Sequence, residues 1–252
     1  MKQATLERWF AGTTRRHEAA AASTAIALFD NFGTSLYPFA QLGYNCKSYI
    51  LKSEQPVAKR TAGVEFVHLH RGDATEVRDA IGRQNNAFIF AIPPCKNLCL
   101  AGARWWKRKR LRNSQFQSKE LAFLEALCVA VEESGAPAAL LTPTNSQIPR
   151  ALNRRFVRVS PHEFGGYLSK DAEHPTNSFL PPQDGYTKSG LLLLRGGLSM
   201  PWKKPVKPIF KRVTLRNGAR NMSPVMAARA PSAARALAPL GLCTALAAQF
   251  AQ

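Results

Sequence analysis

Short apolar runs alternate with helix-type periodicity along the first two thirds of the chain. Ser23 to Phe29 (STAIALF) is apolar and stops at Asp-Asn-Phe-Gly-Thr, a turn-forming cluster, which predicts a strand delivering Asp30 to Thr34 at its end. Leu36 to Leu42 fits a short helix closed by Gly43, and Asn45 to Leu51 returns to strand character. Val64 to Leu69 predicts a third strand, followed by the polar Arg71-Gly72-Asp73, and Thr75 to Ile81 predicts a helix. Ala87 to Ile92 is a continuous apolar run bounded by Pro93. The clearest helix is Ser114 to Ser134. Ser114 and Gln117 have capping-box spacing, Leu121, Leu124, Leu127 and Val131 share a face, and Gly135 offers a C-cap. Ala138 to Leu141 and Leu191 to Leu194 predict two further strands.

Apolar strands alternating with helices argue for an α/β fold of Rossmann-like type, a mostly parallel sheet with helices on both faces. Ligands bind such sheets at the carboxyl ends of the strands. Asp30 to Thr34, Leu51, Asp73, Cys95 and Thr142 all fall on that rim. The chain is long enough for one such domain plus a tail. Residues 1–22 read as a basic, alanine-rich lead-in, 23–200 as the α/β domain, and 201–252 as a basic Pro/Ala/Arg-rich tail for which no single fold is expected.

Charge narrows the partners. The formal net charge of +19 makes a polyanion the default partner, because each neutralised phosphate releases counterions. Between Lys96 and Arg112 stand seven basic residues and no acidic one, with Trp105 and Trp106 among them. Lys96, Arg104, Lys107, Arg108, Lys109 and Arg110 supply phosphate contacts in this reading, and Trp105 a stacking surface. The competing reading is a solvated basic face with one tryptophan in the core. Five scattered cysteines show no disulfide framework and fit a reducing compartment. The polar N-terminus does not resemble a signal peptide, and no apolar run approaches bilayer length, so a cytoplasmic protein is expected.

Cys95 is the candidate nucleophile. A thiol directly after Pro93-Pro94, at the end of an apolar strand and beside Lys96 and Arg104, sits where the thiolate is favoured. The alternative is a buried structural cysteine. A zinc site is not expected: Cys95 and Cys99 are spaced Cys-x-x-x-Cys, and His68-Leu69-His70 carries no glutamate in the place a zinc deaminase needs it. Asp30 and Gly33 lie where a cofactor approaches the backbone or where the chain simply turns. Asp73 is a helix cap or an adenine contact, and capping is the simpler role.

Two longer stretches, IALFDNFGTSLYPFAQLGYNC and FAIPPCKNLCLAGARWW, resemble DNA cytosine carbon-5 methyltransferases, particularly the compact phage-encoded type. SPHEFGGYL, HPTNSFLPPQDGYTKSGLLLL and GLSMPWKKPV extend the similarity over roughly Ala25 to Pro208. The resemblance implies a class I methyltransferase fold, S-adenosylmethionine as cofactor, double-stranded DNA as partner, and Cys95 as the thiolate that adds to carbon 6 of a flipped-out cytosine. It places Phe29, Asp30, Gly33, Thr34, Asp73 and Pro93 at the cofactor, and Arg155 and Arg158 where the family carries paired arginines. The chain departs from the family at two carboxylates. Ile50 stands where an acidic residue holds the cofactor ribose, and Leu141-Thr142-Pro143 stands where a glutamate grips cytosine nitrogen 3. Two functions follow: a cytosine-5 methyltransferase, active or weakened, or a methyltransferase fold kept as a DNA- or RNA-binding module. Leu141→Glu with Ile50→Asp is expected to raise activity if the rest of the site is intact.

Overall fold

The computed structural model describes residues 23–51, 61–70, 72–82, 85–171, 174–175, 180–215, 218–223 and 237–251; the expected lead-in, 1–22, lies outside them. Among the described residues the order begins with β1 (Thr24–Leu28), a 3-10 turn at Thr34–Leu36, α1 (Tyr37–Gln41), β2 (Asn45–Leu51), β3 (Val64–Leu69), α2 (Ala74–Gly82) and β4 (Asn86–Ala91). A 3-10 turn at Leu100–Trp105 leads into α3 (Trp106–Arg112), followed by α4 (Phe116–Glu133), β5 (Ala138–Pro143), α5 (Ile148–Leu152), β6 (Val157–Val159) and a 3-10 segment at Pro161–Tyr167. A 3-10 turn at Pro182–Asp184, β7 (Gly190–Arg195), the hairpin of β8 (Lys211–Leu215) and β9 (Gly218–Met222), and α6 (Leu240–Ala247) complete the order among the described residues.

Seven strands form one sheet in the order β3-β2-β1-β4-β5-β7-β6. β1 to β5 run parallel, and β7 is antiparallel to both of its neighbours. This is a mostly parallel α/β sheet of Rossmann-like type. The order reverses between β1 and β4, so the loops leaving their carboxyl ends flank the crevice where such sheets bind ligands.

The central strands are continuous apolar runs because both faces are covered; every residue of β1 is buried. On one face Leu28, Ile89 and Leu140 pack with Val77 and Ile81 of α2 and with Leu124, Leu127 and Val131 of α4. On the other, Ala27, Phe90 and Leu192 pack with Phe39 of α1, Phe164, and Leu242 and Leu246 of α6. Phe39 stacks on Phe88 with ring centroids 4.4 Å apart, and Phe250 meets both rings edge-on. Full burial of such side chains is worth about 1.5–3 kcal/mol each. No helix among the described residues is long and apolar enough to cross a membrane.

Several expectations change in detail. α4 begins at Phe116, and the expected capping box is not formed. Asn113 Oδ1 accepts the Gln115 amide at 3.0 Å, while the Gln117 side chain donates to the Asn97 carbonyl at 3.0 Å. Asp73 does cap α2, its Oδ1 accepting the Glu76 amide at 2.9 Å.

The described residues past Met200 are not a tail apart from the domain. Lys204 O accepts the Gly166 amide at 2.8 Å, the Val206 amide donates to His162 O at 2.9 Å, and the Ile209 amide donates to Gly185 O at 2.8 Å. All but one of the eight residues of α6 are buried. LGLCTALA is apolar on every side, which suits a helix enclosed by the core rather than one lying on a surface. Its N-terminus is held by Asp184, whose Oδ2 accepts the Gly241 amide at 2.7 Å. The α/β domain therefore takes in this last helix, and the surrounding prolines and arginines hid it in the sequence.

Candidate active site

β4 ends where its hydrogen bonding must end. The Ile92 amide still donates to Leu28 O at 2.9 Å, but Pro93 and Pro94 have no N–H to give, and the chain turns at the carboxyl edge of the sheet. Cys95 begins a tight turn in which its carbonyl accepts the amides of Leu98 and Cys99, both at 2.9 Å. The loop after β5 clamps this turn: the Gln147 amide donates to Leu98 O and the Leu100 amide to Asn145 O, each at 3.0 Å. A side chain at Gly102 would collide with the Lys96 carbonyl, so the chain closes tightly under the thiol.

Cys95 is partly exposed, while Cys99 is 4% exposed. The Cys99 thiol hydrogen-bonds the Cys95 sulfur, and this bond is the main cause holding Cys95 below the ordinary cysteine range, against the opposing effects of burial and the Glu120 charge. Lys188 favours the Cys95 thiolate in the same direction. The same interaction and burial push Cys99 far up, so of the two thiols Cys95 is the one favoured as thiolate. Behind the turn, Lys109 Nζ donates to Asn97 Oδ1 and Asn97 Nδ2 donates to Glu120 Oε2. Burial raises the Glu120 carboxyl, and its Oε1 is buried without a hydrogen-bond partner. Asn97, Glu120 and Lys188 were not legible as site residues, since Glu120 and Lys188 reach Cys95 only through the fold; Cys99, set aside as a zinc ligand by its spacing, acts instead on the Cys95 thiol.

Across the switch point, the loop after β1 is built around Asp30. Its Oδ1 accepts the amides of Phe32 and Gly33 at 3.1 Å, and its Oδ2 accepts the Ser35 amide at 2.8 Å and hydroxyl at 2.7 Å. Its carbonyl takes the Ser48 hydroxyl at 2.6 Å. Burial raises the fully enclosed carboxyl, and the Ser35 bonds oppose that rise. The Asp30 carboxylate thus shapes the loop. Gly33 has φ 69, and a Cβ there would stand 2.9 Å from the Phe66 ring. Phe29 also takes positive φ at 66 and is nearly buried; Thr34 and Pro93 are buried, and Asp73 is engaged in the α2 cap. Asn31 Oδ1, in the same loop, is buried without a partner. An orphaned acceptor beside the crevice fits a ligand that carries N–H or O–H donors, as the amine and ribose of S-adenosylmethionine do. Ile50 is buried on β2 and offers no such contact.

Thr142, at the end of β5, is 2% exposed, and its hydroxyl oxygen has no partner. The sheet register sets Thr142, Leu191 of β7 and Arg158 of β6 in one row. Strand alternation places that row on the face of Leu140 and α4, the face against which Cys95 packs. Leu141 packs into the opposite cluster.

The expected nucleic-acid residues separate into groups. Lys96, Arg104, Trp105, Lys107, Arg108 and Arg110 are exposed around α3, with the Arg104 guanidinium 5.0 Å from the Trp105 ring centroid. Lys109 is turned inward onto Asn97. Arg155 and Arg158 are exposed on the β6 side, Arg158 donating to Ser189 Oγ at 3.0 Å. The neighbouring Arg154 is structural, bound to Glu125 and Glu132. Among the described residues no group of His, Cys, Asp and Glu could hold a metal ion. No model of a known protein family matches this chain, and no curated protein matches it significantly.

Proposed function

We propose that the chain is a DNA cytosine-5 methyltransferase-like protein, acting through a Cys95 adduct on a cytosine swung out of the duplex. The observation that carries this reading is the Cys95 thiol itself, held toward its anionic form at the carboxyl end of β4, opposite the Asp30 loop. The strand order, with antiparallel β7 between β5 and β6, supports a class I methyltransferase fold. The exposed basic and tryptophan surface of Lys96 to Arg110 suits a phosphate backbone and an extruded base.

S-adenosylmethionine would supply an electrophilic methyl group, with Asn31, Phe29 and the Asp30 loop the residues placed to hold it. The Cys95 thiolate adds to carbon 6 of the ring, which makes carbon 5 nucleophilic; after transfer, the carbon 5 proton leaves and the thiolate is expelled. The Cys99 S–H stabilises the anion before attack and on departure. The Thr142 hydroxyl, buried and unpartnered near this edge, is available to the polar rim of the base.

A second reading, a binding module without turnover, is favoured by Ile50 and Leu141, which leave no carboxylate where the family carries two. Titration calorimetry with S-adenosylmethionine, followed by trapping on duplex DNA containing 5-fluorocytosine, separates the two. Heat of cofactor binding and a covalent complex lost in Cys95→Ser support the enzyme. DNA binding with neither signal supports the module and overturns the enzyme.

A further inference from the structure

The Cys99 thiol, held across one backbone turn from Cys95, has a second use. We propose that Cys95 and Cys99 are a peroxide-oxidisable pair, which closes to a disulfide and withdraws the thiol at the sheet edge.

Three observations point there. The Cys99 amide donates to the Cys95 carbonyl at 2.9 Å, closing one turn across which the two Cα atoms lie about 6 Å apart, as residues i and i+4 do in a helix. That spacing lies inside the range a disulfide accepts. The Cys99 side chain acts directly on the Cys95 thiol across this turn, favouring its anionic form. Exposure is graded as such a pair needs: Cys95 is reachable from solvent, while Cys99 is 4% exposed and is reached through Cys95. None of the other three thiols is paired in this way. Cys46 donates to the Leu36 carbonyl at 3.7 Å and is pushed up to about 12 by burial; Cys128 is pushed up to about 11; Cys243, on α6, is enclosed by the core and raised well above its ordinary value.

The chemistry balances with one hydroperoxide. The Cys95 thiolate attacks a peroxide oxygen, the O–O bond breaks, and the departing hydroxide takes up a proton to leave as water, giving a sulfenic acid. The Cys99 sulfur then attacks the Cys95 sulfur, the S–O bond breaks, and the hydroxyl leaves with the Cys99 proton as a second water. Two thiols and one peroxide become one disulfide and two waters. Steric access favours this order, because peroxide meets Cys95 first.

The test reads sulfur masses and is therefore independent of methyl transfer. The full chain is treated with low-millimolar hydrogen peroxide, alkylated, digested and weighed. The expected product is a peptide carrying an intramolecular Cys95–Cys99 bond, lighter by two hydrogens and reopened by dithiothreitol, with Cys46, Cys128 and Cys243 still alkylatable after unfolding. Cys99→Ser and Cys99→Ala should instead give a Cys95 sulfenic acid that dimedone traps. The proposal is overturned if the wild-type chain leaves Cys99 free while Cys95 advances to sulfinic acid, or if neither thiol responds.

Discussion

Leu141 packs, half-buried, against the apolar cluster that contains Phe90 and α6, whereas Cys95 packs against the cluster on the opposite face of the sheet, with Leu98 and α4. The position where the resemblance leads one to seek a base-gripping glutamate therefore points away from the nucleophile. Leu141 also leans on β7: a Cβ at Gly190 would lie 2.9 Å from its Cδ1.

Leu141→Glu is thus expected to destabilise the protein without restoring catalysis. It would place an unpaired charge among apolar side chains, at a cost of several kcal/mol. The measurement is a thermal melt beside a single-turnover methylation assay. A marked loss of melting temperature with no gain in rate is the expected pair of results. A faster reaction with an unchanged melt would show that a carboxylate at 141 does reach the base.

Thr142 gives the opposite forecast. Its buried hydroxyl lacks a partner, and an unsatisfied group of this kind costs about 1–3 kcal/mol. Thr142→Val should melt at the same temperature or higher, yet bind a cytosine-containing flipped-base substrate several-fold more weakly if the hydroxyl faces the ring. Equal binding by both proteins would remove Thr142 from the site.

The basic residues of α3 do not all face solvent. Lys107, Arg108 and Arg110 are exposed, but Lys109 is bonded to Asn97 behind the Cys95 turn. Replacing Lys107, Arg108 and Arg110 with alanine should flatten the slope of log affinity for duplex DNA against log salt by up to roughly 0.9 for each phosphate left unneutralised. Lys109→Ala alone should change the slope little and the Cys95 alkylation rate more. If the triple variant keeps the parental slope, the DNA lies elsewhere.

The sheet was legible because burial on both faces wrote β1 and β4 as unbroken apolar runs, and the α4 stripe of Leu124, Leu127 and Val131 appeared at helical spacing. α6 was hidden for the converse reason. A short helix enclosed on all sides has no amphipathic stripe, and here it follows a proline-rich stretch. β6 has three residues, too few for alternation to register. In the site, Cys95 and its turn followed from local sequence, whereas Glu120 stands 25 positions away and meets the turn only through Asn97. Asp30, which invites a ligand role by position, is fully used in holding its own loop.

Asp184 makes the fixing of α6 depend on pH. Its carboxyl is buried, and burial pushes it up to about 7 from 3.8, against the amide bonds from Gly241 and Leu240. Tyr186 and Cys243, the titratable groups beside it, are themselves buried and raised well above their ordinary values, so they stay neutral through this range. A carboxyl whose folded value exceeds its unfolded one favours the native state most when protonated in both; its contribution is full below about 4 and is lost as pH rises through about 7. Each pH unit between those limits corresponds to about 1.4 kcal/mol, so the effect amounts to a few kcal/mol. Asp184→Asn keeps an oxygen for the Gly241 amide and carries no charge. It should equal or fall below wild type in melting temperature near pH 4 and exceed it near pH 8, with the difference developing between those values. Parallel melting curves for the two proteins across pH 4 to 8 would mean that Asp184 is ionised throughout and that the N-terminus of α6 holds the charge without loss.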